Sequence, residues 1–311
     1  MSLILANFLA ASMRMATPLL IAALGLIISE RAGLMNISAE GAMLAAAFAA
    51  YAITAATGNN IWLGLVAAIF AGMLVAGIFA YTSIHLKVKQ VVVGAGINML
   101  CTGMTGFLFR RLFRGENSIV SSMTVSTFQN YNIPVLSDIP FLNELFFKHT
   151  FFTYFAFLMV AVTWVVIKKT SLGIKIISVG ENPRAADSLG VNVIALRYAA
   201  TLYSGVMFGI AGAYLSIVQG GIFTENMTAG RGFIAMAVVV LGKWHPGGAF
   251  LGALLFGASN ALQMLLQNSG NNTLGNLILG IPYAATIVAV ILVSRSRTAA
   301  PSALGTPYVK S

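Results

Sequence analysis

The segment KKTSLGIKIISVGENPRAADSLGVNVIALR, residues 168–197, decides how this chain is organised. Five charged residues lie between Lys168 and Arg197, whereas the long apolar runs on either side carry none. Uncharged apolar runs of this length are typical of membrane spans. A compact polar segment between two such spans lies in water. The pattern therefore predicts a membrane protein that uses this segment to contact something outside the bilayer.

Composition supports this class. The chain has 311 residues, of which 58% are hydrophobic and only 8% are charged, whereas a soluble protein carries about a quarter charged residues. Its single cysteine, Cys101, lies in an apolar run, which excludes disulfides and cysteine metal sites. The net charge of +10 is scattered over loops. It indicates the positive-inside bias of a membrane protein and no nucleic-acid partner. The N-terminal run has no basic segment before it, so no cleavable signal peptide is expected.

Apolar runs that can cross about 30 Å of hydrocarbon predict an all-α, polytopic helical bundle with about nine spans in one domain, residues 1–311. The predicted spans are 15–29, 40–57, 61–84, 91–113, 150–167, 197–218, 231–242, 249–267 and 275–293. The seventh is short for a full crossing, which suggests a broken or re-entrant segment. Residues 1–13 form either an interfacial helix or an extension of the first span.

The basic residues predict the orientation. With residues 168–197 in the cytoplasm, 12 of the 18 Lys and Arg residues lie inside and 6 lie outside, although Arg110, Arg111 and Arg114 oppose the rule. The C-terminus is then cytoplasmic. Residues 114–149 are expected outside as an ordered cap, and residues 298–311 are expected to be a disordered tail.

Polar residues interrupt the apolar sequence SERAGLMNISAEGAML, residues 29–44. Glu30 and Arg31 predict a local ion pair at the membrane edge. Asn36 and Glu40 lie deeper, within the membrane-like region.

Two interpretations of Glu40 remain open. Ser38 could cap a helix that begins near Ala39, which would place Glu40 in the first turn, where the helix dipole favours an acid. Alternatively, the carboxylate faces a water-filled path and binds substrate hydroxyls, because ionisable residues inside membranes are usually functional.

Two further interruptions suggest a transport path. In residues 90–107, Asn98 either forms hydrogen bonds between helices or lines a pore. In residues 230–257, the short run that contains Phe233 ends at the turn KWHPGG. Asn36, Glu40, Asn98 and Phe233 are the predicted substrate-pathway residues.

No enzyme constellation is present in the sequence. It contains no Walker A loop, HExxH or GxSxG motif, and its three histidines, His85, His149 and His245, are dispersed. We therefore expect no catalytic residue, metal or cofactor, and any energy for transport must come from a partner.

The polar segment predicts a short capped helix. Asn182 suits the N-cap, Pro183 the first helical position, and Gly190 the position after the helix end. Ala185 and Ala186 would give a small surface that a partner can approach closely. A connector helix at the membrane surface is the alternative.

Four blocks of sequence together carry a family resemblance. They resemble the permease subunits of bacterial ABC importers, in the branch that serves ribose, other sugars and nucleosides, and more distantly branched-chain amino acids. The blocks are ERAGLMNISAEGAML (30–44), GENPRAADSLGV (180–191), SGVMFGIAGAYLS (204–216) and GRGFIAMAVVVLGKWHPGGAFLGALLFG (230–257). The resemblance covers about residues 15–293, and SERxGxxNIxxEGxML and QVVVGxGIN look most like the nucleoside members.

The resemblance implies a nucleoside permease that is embedded in membrane lipid. It would work with an ABC ATPase subunit, a second and distinct permease, and an extracellular binding lipoprotein. The alternatives are a sugar permease and, in a different class, an ion-coupled secondary transporter that uses Glu40. The implied ATPase coupling helix comprises Glu181, Asn182, Pro183, Arg184, Ala185 and Ala186.

Overall fold

The structure, a computed structural model, describes residues 2–113, 124–128, 131–132, 148–268 and 300–309, and the single residues 280, 287 and 291. In these residues the chain is helical, apart from a two-residue antiparallel pairing of β1 (Tyr131–Asn132) with β2 (Lys148–His149). The helices are α1 (Ser2–Arg31), α2 (Ala39–Ala56), α3 (Ile61–Ile84), α4 (Gln90–Phe113), α5 (Phe151–Lys169), α6 (Ser171–Glu181), α7 (Pro183–Ser188), α8 (Val193–Ala213), α9 (Arg231–Leu241) and α10 (Pro246–Asn268). A π-helical turn, Tyr214–Val218, extends α8.

Seven described helices are long and apolar enough to cross a membrane, and they confirm seven of the predicted spans. Of the residues 1–13, those that the structure describes, 2–13, extend the first span, because α1 is one continuous helix from Ser2 to Arg31. The short run 231–242 forms α9, an 11-residue helix. The predicted ninth span, 275–293, and most of the predicted outer cap, 114–149, lie outside the described residues.

The helices α1 and α8 lie at the centre of the bundle, and α3 crosses α8 at glycines. A Cβ on Gly72 would lie 2.7 Å from the backbone nitrogen of Gly209, and one on Gly205 would lie 2.7 Å from the Cβ of Ala76. A Cβ on Gly212 would lie 2.8 Å from the Cβ of Ala46 in α2. Small residues let membrane helices approach closely. Gly209 and Gly212 therefore allow α8 to pack tightly against α3 and α2.

The end of α1 is fixed to the turn after α9. The indole Nε1 of Trp244 donates to the Glu30 carboxylate, while Arg31 donates from Nε and NH2 to the Trp244 carbonyl, at 3.2 and 3.1 Å. The predicted ion pair between Glu30 and Arg31 is therefore wrong. Each side chain instead satisfies a polar group of the same tryptophan.

His245 lies in that turn as a structural residue. The backbone N–H of Gly247 donates to its Nδ1, 3.2 Å away. Partial burial, together with the charges of Lys168 and Arg31, lowers the pKa of His245. The neutral ring that results can accept this hydrogen bond.

The tail predicted to be disordered is ordered where the structure describes it, at residues 300–309. The backbone N–H of Ala303 donates to the carbonyl of Gly180, at 2.9 Å, and that of Gly305 to the carbonyl of Gly33, at 3.2 Å. Backbone pairing thus fixes the tail to α6 and to the turn between α1 and α2. The prediction missed it because the acceptors are distant in sequence.

Arg197 also holds the tail. Its side chain is 1% exposed, and it donates from Nε to the Ala32 carbonyl, at 3.2 Å, and from NH1 to the Thr306 carbonyl, at 3.3 Å. Carbonyls at a helix C-terminus carry partial negative charge. In the described part of the chain, this buried guanidinium is therefore held by carbonyls at the end of α1 and in the tail.

Candidate transport pathway and coupling segment

The break between α1 and α2 packs against α4, from Gln90 at the start of that helix to Asn98 in its middle. Along α4, Asn98 lies about 14 Å from Lys89 and about 18 Å from Arg110, at about 1.5 Å per residue, so it is near the centre of about 30 Å of hydrocarbon. Its Oδ1 accepts the N–H of Gly41, at 2.8 Å, and its Nδ2 donates to the Ile37 carbonyl, at 3.0 Å. The start of α2 therefore lies at the same depth.

The predicted start of α2 at Ala39 is confirmed, but Ser38 does not cap it. The Ser38 hydroxyl donates to Oδ1 of Asn36, at 2.6 Å, and Nδ2 of Asn36 donates to the Ser204 hydroxyl, at 3.1 Å. Asn98, on α4, supplies the capping acceptor instead. Asn36 is fully buried; its Oδ1 is bonded within the break, and its Nδ2 joins the break to α8.

Glu40 joins two helix N-termini. It lies in the first turn of α2, as predicted, and is 6% exposed. Its two carboxylate oxygens accept the N–H groups of Gly230, at 2.8 Å, and Gly232, at 2.7 Å, at the start of α9. Gly230 has φ +84°, which glycine adopts without strain. Both helix dipoles favour a negative charge at this place.

The structure brings three of the four predicted pathway residues together. Asn36, Glu40 and Asn98 are buried around the start of α2, and their side chains are hydrogen-bonded within the protein. Phe233 is 49% exposed and is not part of this buried cluster. The cluster connects the α1–α2 break with α4, α8 and α9. A contact of these residues with substrate remains a prediction.

The predicted capped helix in residues 168–197 is confirmed as α7. The Asn182 Oδ1 accepts the N–H of Ala185, at 3.1 Å, and Pro183 occupies the first helical position. Leu189 is the C-cap, and Gly190 follows it with φ +82°. Each predicted start and stop signal is therefore used as expected.

The predicted contact surface of α7 needs correction at Ala186. Ala186 is 2% exposed and packs with Val193, because it faces the bundle. Ala185 and Arg184 are exposed, and Leu189 is 84% exposed. The surface available to a partner is therefore formed by Arg184, Ala185 and Leu189.

Glu181 lies outside the short helix. It is the last residue of α6, and its carboxylate accepts from the hydroxyl and the backbone N–H of Ser302, at 2.8 and 3.3 Å. Its observed contact is with the tail. In the described part of the chain, no three His, Cys, Asp or Glu residues come together as metal ligands.

A bundle of membrane spans with a half-length helix, α9, and a capped helix at one end is typical of the membrane-spanning subunit of a transporter. Comparison with known proteins gives the family. The model of the branched-chain amino acid transport system / permease component family matches residues 8–297, and the chain belongs to this family.

Three relatives match almost the whole chain. The putative glucose ABC transporter permease protein TsgC13 of Haloferax volcanii is 38% identical over 97% of each chain. The guanosine ABC transporter permease protein NupQ of Bacillus subtilis is 36% identical, over 99% of this chain and 98% of its own. The nucleoside ABC transporter permease protein NupC of Lactococcus lactis is 34% identical, over 100% and 98%. No solved structure matches.

The family fixes the class of protein. The chain is a multi-pass membrane protein and a permease component of an ABC transporter, and its homologues are transport subunits rather than enzymes. Membership implies an ATPase partner and a binding protein.

Proposed function

We propose that this chain imports nucleosides across a bacterial cytoplasmic membrane, by alternating access that a separate ATPase subunit drives. The observation that supports a nucleoside as the substrate is the full-length identity of 36% and 34% to two permeases named for guanosine and nucleosides. On this proposal the end of the bundle with residues 168–197 faces the cytoplasm, together with the C-terminus. The second permease is a distinct chain, and the binding protein is an extracellular lipoprotein.

A sugar permease is the second candidate. The relative TsgC13, named for glucose, is 38% identical over 97% of this chain. A measurement of whether the complex takes up a nucleoside or a sugar therefore distinguishes the two candidate functions.

The contacts of Glu40 disfavour an ion-coupled secondary transporter. Coupling to protons or sodium needs an acid that changes its protonation or ligands during transport. Both oxygens of Glu40 already accept backbone N–H groups, at 2.8 and 2.7 Å. Those bonds hold the start of α9 and leave the carboxylate little freedom to act as a carrier.

The test uses the complete complex of this chain with its ATPase, second permease and binding protein in proteoliposomes. We expect binding protein loaded with guanosine to stimulate ATP hydrolysis and to support guanosine uptake, with glucose as the control. Uptake of glucose alone would support the sugar permease. Guanosine uptake that persists without ATP and stops with an ionophore would overturn the ABC mechanism.

We further propose that the exposed surface of α7 docks in the ATPase. Ala185→Glu places a charge on that surface without disturbing the bundle, because Ala185 is exposed. We expect at least about a tenfold loss of uptake, since a buried unpaired charge at an interface costs several kcal/mol. The measurement is uptake together with co-purification of the ATPase.

The neighbouring alanine is the matched control. Ala186→Glu would bury a charge inside this chain, because Ala186 is 2% exposed, so we expect a lower melting temperature. Ala185→Glu should keep the wild-type melting temperature. Normal uptake by Ala185→Glu would remove this surface from the interface.

A further inference from the structure

An open cavity of about 510 Å³ lies at the end of the bundle opposite residues 168–197. It is bounded by the N-terminal half of α1, the π-helical turn, the segment 124–128 and the end of α10. Arg14, in its wall, lies about 25 Å along α1 from Arg31, at about 1.5 Å per residue. The cavity is therefore at the far edge of the membrane from the coupling segment. On the proposed orientation it opens to the outside.

The polar part of the wall is rich in hydrogen-bond donors. It contains the side chains of Arg14, Thr127, Thr150, Tyr214 and Gln219. Thr150 is 8% exposed, and its hydroxyl faces that of Tyr214 within the wall. No carboxylate lines this wall or pairs with Arg14 among the described residues.

The rest of the described wall is apolar and includes Met15, Phe128 and Met264. The Phe128 ring is held edge-on against Trp62 and Phe152, with ring centroids 5.2 and 5.0 Å apart. Apolar side chains together with a few fixed polar groups are the usual composition of a small-molecule site. Such a site suits a ligand with one flat apolar face and one polar edge.

Local backbone features hold these groups in place. In the π-helical turn, the N–H of Gln219 donates to the carbonyl of Tyr214, at 2.9 Å. A π-turn inserts a residue and changes where side chains point, and such turns are frequent at functional sites. The N–H of Val125 donates to the carbonyl of Gly221, at 2.8 Å, which fixes the segment 124–128 beside this turn. The cavity is thus formed before a ligand enters.

We propose that this cavity is the site where the permease receives its substrate from the outside, and that the ligand is a nucleoside. This inference rests on the proposed function. The base lies against Phe128 and the methionines, while Tyr214 and Thr150 bind the polar edge and the ribose hydroxyls. The exposed Gln219 lines the cavity without a role in binding, because its amide Nε2 already contacts the Met15 sulfur, at 3.4 Å. A volume of about 510 Å³ is in the usual range of ligand pockets, about 300–1,000 Å³. Among the described wall residues the one ionised side chain is the cationic Arg14, which disfavours a cationic ligand.

The test is protection of an engineered cysteine in the complete complex. The only native cysteine, Cys101, is buried, so Gln219→Cys is made together with Cys101→Ser in a background that still takes up substrate. A membrane-impermeant maleimide is added from the outside in proteoliposomes. We expect the maleimide to label the Gln219→Cys variant. Saturating guanosine should slow this labelling at least about fivefold, whereas glucose and inorganic phosphate should leave its rate unchanged.

Thr57→Cys is the matched control. Thr57 is exposed at the same end of the bundle and is absent from the cavity wall, and the side chain of the nearby Asn59 accepts the N–H of Ser126. It should label at a rate that guanosine does not change. A direct effect of guanosine on the reagent or the liposomes would slow both variants.

The outcomes separate the site from the function. If guanosine leaves the labelling of Gln219→Cys unchanged while the complex imports guanosine, the cavity assignment is overturned and the function stands. If the complex imports glucose and glucose protects, the nucleoside assignment fails. Protection by inorganic phosphate alone would indicate an anion site at Arg14 and would overturn the proposal.

Discussion

Glu40→Ala is expected to abolish stable folding of the bundle, or at least to lower uptake by more than about tenfold. The substitution removes the acceptor of the part-buried N–H of Gly230 and of the buried N–H of Gly232. An unsatisfied buried group costs about 1–3 kcal/mol, and the total is a large part of the stability of a typical domain, about 5–15 kcal/mol. The negative charge that stabilises the two helix N-termini is lost as well. The measurement is the melting temperature of the purified complex, followed by uptake.

Glu225→Ala is the matched control for this experiment. Glu225 forms an exposed ion pair with Arg110, at 2.9 Å, and such pairs contribute about 0–1 kcal/mol. We expect a nearly unchanged melting temperature. Removal of a carboxylate is common to both variants, so the difference between them reports the buried hydrogen bonds.

The same pair of measurements distinguishes the two interpretations of Glu40. If Glu40 only contacts substrate, Glu40→Ala leaves the melting temperature unchanged and lowers uptake. If Glu40 holds α9 to α2, Glu40→Ala lowers the melting temperature itself, and any loss of uptake follows from that loss of stability. Its present contacts with Gly230 and Gly232 favour the second result. An unchanged melting temperature would contradict the structural role.

The sequence predicts those features whose causes are local. Asn182 and Gly190 lie eight residues apart and fix both ends of α7 through bonds within a few residues, so their roles are readable from the sequence. Seven spans follow from hydropathy for the same reason. The direction in which Ala186 faces depends on Val193 and the tail, and no local pattern contains that information.

The partners of the buried polar residues depend on long-range contacts. Glu40 and Gly232 are 192 residues apart, and Asn98 and Gly41 are 57 residues apart. Depth and polarity marked Glu40 and Asn98 as unusual, but only the packing of the helices shows what they bind. The wall of the outer cavity was missed because Arg14, Tyr214 and Gln219 share no motif or spacing in the sequence.

Gly209→Leu is expected to prevent accumulation of the folded chain in the membrane. A Cβ at this position would lie 2.6 Å from the Cα of Ile69 and 2.8 Å from the Ala68 carbonyl oxygen. Both atoms belong to the backbone of α3, so the clash can be relieved only if the two helices separate. Since α3 and α8 form a central crossing of the bundle, and small residues drive such contacts in lipid, separation disrupts the core. The measurement is the amount of monodisperse protein extracted from membranes.

Gly103→Leu is the control that makes this result specific. A Cβ at Gly103, on α4, would have no neighbour within 4 Å. Both variants add the same side chain to a helix, with the same gain in helix propensity of about 1 kcal/mol. Gly103→Leu should therefore accumulate normally, while Gly209→Leu should not. Equal accumulation of the two proteins would mean that the approach of α3 to α8 does not hold the bundle together, and the fold at its centre would need to be reconsidered.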